Sequence, residues 1–123
     1  MVCFRTVDGR YALPVESTLS VRKMEGIVNL PLPRPDVIGV LPGNPPLTVL
    51  TSLGAGGDHV LIVETPDVQY AIQVLEVLGI RRFDDGQVGP PPDGQADGII
   101  CGTLDGAEEL TLVVDPRALA ARL

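Results

Sequence analysis

The feature of this sequence that most constrains its fold is the regular spacing of its turn signals. Glycine, proline and Asp-Gly pairs interrupt the chain about every eight to twelve residues, and the runs between them are rich in valine, leucine and isoleucine. Short apolar runs at this spacing are typical of β-sandwiches and β-barrels. We therefore predict an all-β fold with little helix.

Residues 39–54, GVLPGNPPLTVLTSLG, show this pattern clearly. Two apolar segments flank a central group of turn formers, namely Gly43, Asn44, Pro45 and Pro46. Glycine tolerates the positive φ angles of tight turns, and proline fixes φ while giving up its N–H. The segment is predicted to form a strand, a turn and a second strand, with the turn at the surface.

The segment before this hairpin also has β character. Residues 2–7 and 10–14 are predicted strands around the hairpin turn Asp8-Gly9. Residues 15–19 are ambiguous between an extended segment and a short helical turn, and residues 20–23 are predicted to be extended and exposed. The prolines of residues 31–35 predict an irregular loop, because proline cannot donate a hydrogen bond to a sheet.

Beyond residue 51 the chain is predicted to begin a second β unit. Residues 52–58, SLGAGGD, are glycine-rich and are predicted to link two halves. Residues 59–65 are predicted to form a strand that is buried on both faces. Residues 68–77 continue as a β run in which Ala71, Val74 and Leu75 are predicted to face inward.

The last third alternates between loops and short ordered segments. Residues 84–98 are rich in Gly, Pro and Asp and are predicted to be a loop. Strands are predicted at 99–104 and 109–114, around a turn at Asp105-Gly106. Asp115 is predicted to cap a short helix over residues 117–123, with Pro116 at the first helical position.

The length and the composition limit how these strands can assemble. A chain of 123 residues suits one domain or two very small ones. A division near residue 56 leaves halves that can each barely hold a core alone. With two Phe, two Tyr and no Trp, the core must consist of Val, Leu and Ile. We predict two small barrels that share an apolar interface.

The net charge of −7, from nine basic and sixteen acidic residues, argues against some partners. Binding to nucleic acid or to an anionic membrane surface requires a basic patch. The N-terminus lacks a basic region followed by a long apolar run, and no run approaches the ~18 apolar residues of a membrane span. We expect neither nucleic-acid binding nor membrane insertion, and we expect a cytoplasmic protein.

The residues capable of catalysis or metal binding form no recognisable site. His59 has no second histidine or cysteine nearby in sequence for a metal site. The acidic residues of one loop, Asp84, Asp85, Asp93 and Asp97, lack the spacing of a calcium loop. The glycines of residues 52–58 lack the spacing of a phosphate loop. The sequence therefore indicates no enzyme, no metal and no cofactor, and a binding role follows by elimination.

The two cysteines, Cys3 and Cys101, each lie beside apolar residues. We interpret them as buried free thiols, because a disulfide needs a geometry that the sequence does not show. Cys101 could in principle act as a nucleophile, but the middle of a predicted strand is a poor place to expose one.

Five segments, taken together, resemble the CheW-like domain family, the adaptor module of bacterial chemotaxis signalling. The opening hairpin, FRTVDGRYALPV, carries the Tyr-Gly/Ala-aliphatic pattern at Tyr11, Ala12 and Leu13. The other four are PRPDVIGV, VLEVLGI, QVGPPPDG and GIICGTLDGAEELTLVVDPRAL, at residues 33–40, 74–80, 87–94 and 98–119. Each segment alone is unspecific, but their order and spacing match the family over nearly the whole chain.

The resemblance implies a fold and a role. It implies two intertwined five-stranded barrels of the SH3-like type and no enzymatic activity. It also implies two protein partners, the regulatory domain of a CheA-type histidine kinase and the cytoplasmic tip of a chemoreceptor. The groove between the barrels is implied to carry the receptor contact.

The resemblance also places a candidate partner-binding surface on two segments. One is an exposed strand and the other is the turn near residue 43. The candidate residues are Thr18, Ser20, Arg22, Gly39, Leu41, Pro42, Gly43 and Asn44. Sheet-edge pairing and small apolar patches are the expected physics of such a surface.

The chain departs from the family at this surface. The family signature Asn-Leu-Arg-Gly is reduced to Leu41-Pro42-Gly43, and Ser20 lies where the family usually has a glutamate. These changes favour an alternative, a diverged CheW-like interaction module outside chemotaxis. A third class, an enzyme or small-molecule binder, would need a closed pocket with converging polar groups.

Overall fold

The computed structural model describes residues 1–32, 34–93, 98–105 and 109–123 of the chain. These residues form two sheets and a short C-terminal helix, α1. The elements are β1 (Val2–Thr6), β2 (Gly9–Leu13), β3 (Thr18–Lys23), β4 (Val37–Leu41), β5 (Leu47–Leu50), β6 (His59–Glu64), β7 (Gln69–Val74), β8 (Glu76–Ile80), β9 (Val88–Gly89), β10 (Ile100–Leu104), β11 (Thr111–Val114) and α1 (Pro116–Ala120). The predicted all-β class is confirmed.

The first sheet, here called the terminal sheet, contains both the first and the last strands. Its order is β8-β1-β2-β11-β10-β9. The predicted opening hairpin is confirmed, with Phe4 opposite Tyr11 and their rings stacked at a centroid distance of 5.9 Å. Strand β11 then adds to β2 in parallel. The sheet has six described strands instead of five, because part of the predicted loop at 84–98 forms the short strand β9.

The second sheet, here called the central sheet, has the order β3-β6-β7-β5-β4. The predicted strand–turn–strand at residues 39–54 is confirmed as the β4–β5 hairpin, which pairs Leu41 with Leu47. Residues 60–63 of β6 are all buried, as predicted. Alternate residues along β6 face two different apolar clusters. Ile62 lies in a small core and Leu61 lies in a larger one. An alternating strand between two cores has no solvent face, which explains its unbroken apolar sequence.

The two sheets do not follow the two halves of the chain. Strands β1 and β2 pair with strands from the second half, whereas β3, β4 and β5 join β6 and β7. The larger core lies between the sheets and includes Phe4 and Leu13 from the terminal sheet, Leu61 and Tyr70 from the central sheet, and Leu119 from α1. The link at residues 52–58 is held at this boundary, where the Thr6 hydroxyl donates to the Leu53 carbonyl at 2.6 Å.

Several local predictions need correction. The run 68–77 is not one strand, because the chain leaves the central sheet at Leu75 and joins the terminal sheet there. The Leu75 amide donates to the Arg5 carbonyl at 2.9 Å. Ala71 and Val74 are buried as predicted, but Leu75 is only partly buried. The ambiguous segment after Pro14 forms a 3₁₀ turn over Val15–Ser17.

The C-terminal helix is shorter than predicted but begins as expected. The Asp115 carboxylate accepts hydrogen bonds from the Arg117 and Ala118 amides, and Pro116 opens the helix. Such a cap satisfies amides that have no partner inside the helix. The helix ends at Ala120, whereas the sequence predicted it to residue 123.

The prediction of two buried thiols is only half correct. Cys3 is buried and Cys101 is exposed, and neither forms a disulfide. The register of β10 against β11 shifts between Ile100 and Gly102, so Cys101 is the extra residue of a β-bulge. A bulge turns its extra residue out of the regular alternation.

Parts of three predictions lie outside the described residues. They are Pro33 in the proline-rich segment, residues 94–97 in the loop at 84–98, and Gly106 in the Asp-Gly turn. In the described part of the chain, no helix is long and apolar enough to cross a membrane.

Candidate functional site

Strand β3 is the most exposed strand of the central sheet. It forms one edge of that sheet and pairs with β6, and residues 19–23 are all exposed. Two of them are apolar, with Leu19 50% exposed and Val21 45% exposed. An edge strand that presents apolar side chains to solvent is a surface suited to a protein partner.

A depression of about 240 Å³, here called the β3–turn pocket, lies beside this strand. It is formed where the central sheet curls, so that edge strand β3 comes near the β4–β5 turn from the opposite edge of the sheet. The lining residues are Leu19, Ser20, Arg22, Pro42, Gly43, Asn44, Pro45, Leu47, Ile62 and Gln69. The fold thus brings together five of the predicted partner-binding residues from two separate segments.

Among the described residues that line the β3–turn pocket, Arg22 is the only charged one. Within the described ranges its guanidinium makes no hydrogen bond or ion pair. The nearby amide of Gln69 donates to the Glu64 carboxylate at 3.4 Å, but Glu64 does not line the pocket. The pocket therefore carries one uncompensated positive charge in a protein whose net charge is −7.

A second depression of about 290 Å³, here called the inter-sheet groove, lies on the other side of β3. It separates β3 at the edge of the central sheet from β8 at the edge of the terminal sheet. The lining is mostly apolar and consists of Val2, Val15, Thr18, Leu19, Ser20, Val21, Leu61, Val77, Gly79 and Ile80. Ile80 is 69% exposed, which leaves a large apolar side chain at the rim of the groove.

The remaining predicted residues lie in different environments. Thr18 lines the inter-sheet groove, and its hydroxyl donates to the Val15 carbonyl at 2.9 Å. Gly39 and Leu41 are buried. A side chain at Gly39 would collide with the Val28 carbonyl oxygen, and Leu41 packs inside the curl of the central sheet. These two positions support the hairpin from inside, and we leave them out of the contact surface.

Sequence reasoning missed the apolar members of both depressions. Leu19, Val21 and Ile80 line them, and Gln69 contributes from β7. The signal for the first two is present in the sequence, since residues 18–22 alternate polar and apolar side chains. On an exposed strand, the apolar set of such an alternation marks a face that a partner can cover.

A third depression, of about 330 Å³, lies between the 3₁₀ turn, the β6–β7 turn and the start of α1. Its lining includes Glu16, Glu64 and Arg117, so charges of both signs are present. The described residues include no group of three metal-ligating side chains. Burial raises the pKa of the Cys3 thiol. Cys101 is exposed as a residue, but partial desolvation of its sulfur, which lies against the Val113 carbonyl, and the negative charge of Asp115 raise the pKa of its thiol as well. Both shifts favour the protonated thiol near neutral pH.

Comparisons with known proteins agree with this architecture. The crystal structure of the scaffolding protein TtCheW from Thermoanaerobacter tengcongensis superimposes with a TM-score of 0.78 and 17% sequence identity, covering 93% of this chain and 86% of that chain. At that identity the likeness shows the fold alone. No curated protein matches this chain.

The family model of the CheW-like domain matches residues 48–123. The match runs from β5 to the C-terminus and spans more than half of the chain, while β3 and the β4–β5 turn lie outside it. This chain belongs to the CheW-like domain family.

Proposed function

We propose that this protein is a non-catalytic adaptor that couples a chemoreceptor or sensor to a CheA-type histidine kinase inside the cell. The observation that carries the proposal is the position of β3 between two depressions. A single exposed strand contributes to both the β3–turn pocket and the inter-sheet groove, on a fold shared with a CheW scaffolding protein. An adaptor needs surfaces for two partners, and this strand offers two adjoining ones.

The chemistry of the two surfaces suits protein partners better than small substrates. The inter-sheet groove is shallow, open and apolar, with exposed Leu19, Val21 and Ile80. Small-molecule sites usually enclose most of a ligand and place several polar groups against it. Apolar side chains on an open surface instead gain free energy when a partner removes them from water, by about 25 cal/mol per Å². We assign the inter-sheet groove to a helix of the receptor or sensor, and the β3–turn pocket to the second partner, the kinase.

A second candidate function is an interaction module in a signalling system other than chemotaxis. Pro42 and Ser20, at the β3–turn pocket, favour it, because the family usually has an arginine and a glutamate there. A guanidinium presents a planar fork of donors that proline cannot replace. The family match also begins at residue 48, after both segments of the pocket.

Calorimetric titration with the regulatory domain of the CheA-type kinase from the same cell tests the first candidate. We expect micromolar or tighter binding by the unaltered protein. The variant Arg22→Glu should weaken it at least about tenfold, because a buried charge contact becomes repulsive. Its Tm should stay near that of the parent, since Arg22 is exposed and its guanidinium makes no hydrogen bond or ion pair with the described residues.

The matched control is Arg117→Glu, which makes the same charge change at an exposed residue that lines neither surface. It should bind like the parent. Absence of binding by the folded parent protein would favour the second candidate, and a pull-down from the same cell would then search for the partner. A large fall in Tm for Arg22→Glu would assign Arg22 a structural role.

A further inference from the structure

The β3–turn pocket combines one cation with polar and apolar surface that carries no opposing charge. Arg22 supplies the guanidinium, and Ser20 and Asn44 supply neutral polar side chains. Leu47 and Ile62 are buried residues that supply apolar lining. A ligand that matches this lining has one negative charge beside an aliphatic group.

The charge of Arg22 is not compensated by a carboxylate of the described chain. The protein has nine basic and sixteen acidic residues. Arg5, Arg10 and Arg122 are each paired with a carboxylate of the chain. Arg22 has no such partner within the described ranges, which is also true of Lys23 and Arg117. The depressions lined by Lys23 and Arg117 contain carboxylates, whereas the described lining of the β3–turn pocket contains none. An unpaired guanidinium in a surface depression is available to an incoming carboxylate.

We propose that the β3–turn pocket binds an aspartate or glutamate side chain of the partner protein. The carboxylate pairs with the Arg22 guanidinium, and the backbone amides of Gly43 and Asn44 are the remaining main-chain donors of the turn, because Pro42 and Pro45 have none. An aliphatic side chain next to the acidic one covers Leu19 and Leu47. This inference rests on the proposed role as an interaction module and specifies the chemistry of one of its contacts.

The test uses two blocked dipeptides that differ only in charge. Acetyl-Leu-Glu-amide and acetyl-Leu-Gln-amide are titrated at equal ionic strength into uniformly ¹⁵N-labelled protein, and the backbone amides and arginine Nε–H groups are followed by NMR. We expect the Glu peptide to shift Arg22 Nε–H and the amides of Gly43 and Asn44. The Gln peptide should bind at least about fivefold more weakly, because charge-assisted hydrogen bonds are stronger than neutral ones.

Two variants locate the charge contact. Arg22→Gln should reduce the affinity for the Glu peptide about fivefold to tenfold, to the level of the Gln peptide. Lys23→Gln is the matched control, because Lys23 is the next residue of β3, is exposed and does not line the pocket. It should leave the affinity within about twofold, since a neighbouring exposed charge is screened by water and salt.

Three outcomes would overturn the inference. The first is equal binding of the two peptides, and the second is no shift at these residues with either peptide. The third is binding of inorganic phosphate at the same residues as tightly as the Glu peptide. That result would mean that the pocket attracts any anion and does not recognise a side chain. The comparison of peptides on the unaltered protein does not depend on a variant that folds. It also does not depend on the kinase, so kinase binding without peptide recognition would overturn this inference alone.

Discussion

At the scale of single residues, Tyr70 connects the central sheet to the C-terminal helix. Its ring is fully buried, and its hydroxyl donates to the Pro116 carbonyl at 2.7 Å. Burial, and to a lesser degree the negative charge of Asp115, raises the pKa of Tyr70 well above its ordinary value of 10.0. The folded protein therefore holds this phenol in its neutral form.

Replacing Tyr70 with Phe should lower the free energy of unfolding by about 1–2 kcal/mol at pH 7, because the Pro116 carbonyl loses its donor. The pH dependence should change as well. Above pH 10 the unfolded chain releases the phenol proton and the folded protein keeps it, so the stability of the parent falls as pH rises. Urea denaturation from pH 7 to 11 should show a shallower alkaline decline for Tyr70→Phe.

Tyr11→Phe is the control for the hydrogen bond. Tyr11 is also buried, but in the described part of the chain its hydroxyl makes no hydrogen bond. The loss at pH 7 should be smaller than for Tyr70→Phe. Parallel stability curves for Tyr70→Phe and the parent protein above pH 10 would show that Tyr70 ionises equally in both states.

At the scale of elements, the glycine-rich link at residues 52–58 is fitted closely to the sheet. Gly57 has a φ of +108°, and a Cβ atom there would overlap the Val74 carbonyl oxygen. Its own carbonyl accepts a hydrogen bond of 2.9 Å from the side-chain Nε2 of Gln73. The link is therefore a packed part of the central sheet and not a loose tether.

Gly57→Ala should lower the free energy of unfolding by about 3 kcal/mol or more, because both the backbone angle and the space exclude a side chain. The control is Gly26→Ala. Gly26 also has a positive φ, of +70°, but nothing lies within 4 Å of its Cβ position. That variant should lose only about 1–2 kcal/mol, from backbone strain. Equal losses in urea denaturation would mean that the contact with Val74 costs nothing.

The elements that the sequence predicted well are those with local causes. The hairpin turns at Asp8-Gly9 and at residues 43–46, and the Asp115 cap, depend on residues adjacent in the chain. The errors have distant causes. Strand β7 ends at Val74 because the next amide, that of Leu75, donates to the carbonyl of Arg5, far away in sequence. Strand β9 exists because β10 lies beside it.

The same distinction applies to the candidate site. Its two segments were identified from the resemblance to the family, and the fold brings Ser20 and Arg22 together with the turn at Pro42. The sequence alone does not show which residues of β4 point inward, so the predicted surface contains Gly39 and Leu41, which are both buried in the structure. The apolar lining from β6, β7 and β8 was missed because it depends on how the sheets curl and meet.

At the scale of the whole molecule, the two sheets share one core. The larger apolar cluster contains Phe4 and Leu13 from the terminal sheet together with Leu61 and Tyr70 from the central sheet. The chain crosses between the sheets after β2 and again after β7. The last strand, β11, then returns beside β2. Neither sheet can expose its inner face without exposing that of the other. We propose that residues 1–123 form a single cooperative domain.

Each sheet contains one tyrosine, which allows this proposal to be tested directly. Tyr11 lies on β2 in the terminal sheet and Tyr70 lies on β7 in the central sheet. In protein labelled with 3-fluorotyrosine, the two ¹⁹F resonances can be assigned with the single Tyr→Phe variants. A shared core predicts that both resonances report the same urea midpoint, because the sheets unfold together.

The variant Leu13→Ala sharpens this test. Leu13 lies on β2 and is fully buried in the shared core, so its truncation should cost about 2–5 kcal/mol. If the domain is cooperative, the midpoint reported by Tyr70 in the other sheet falls by as much as the midpoint reported by Tyr11. A shift confined to Tyr11 would show two independently folding units, and the inter-sheet groove would then lie between parts that can separate. A common shift means that the groove and the β3–turn pocket are held by the stability of the whole domain, so a partner meets both surfaces already formed.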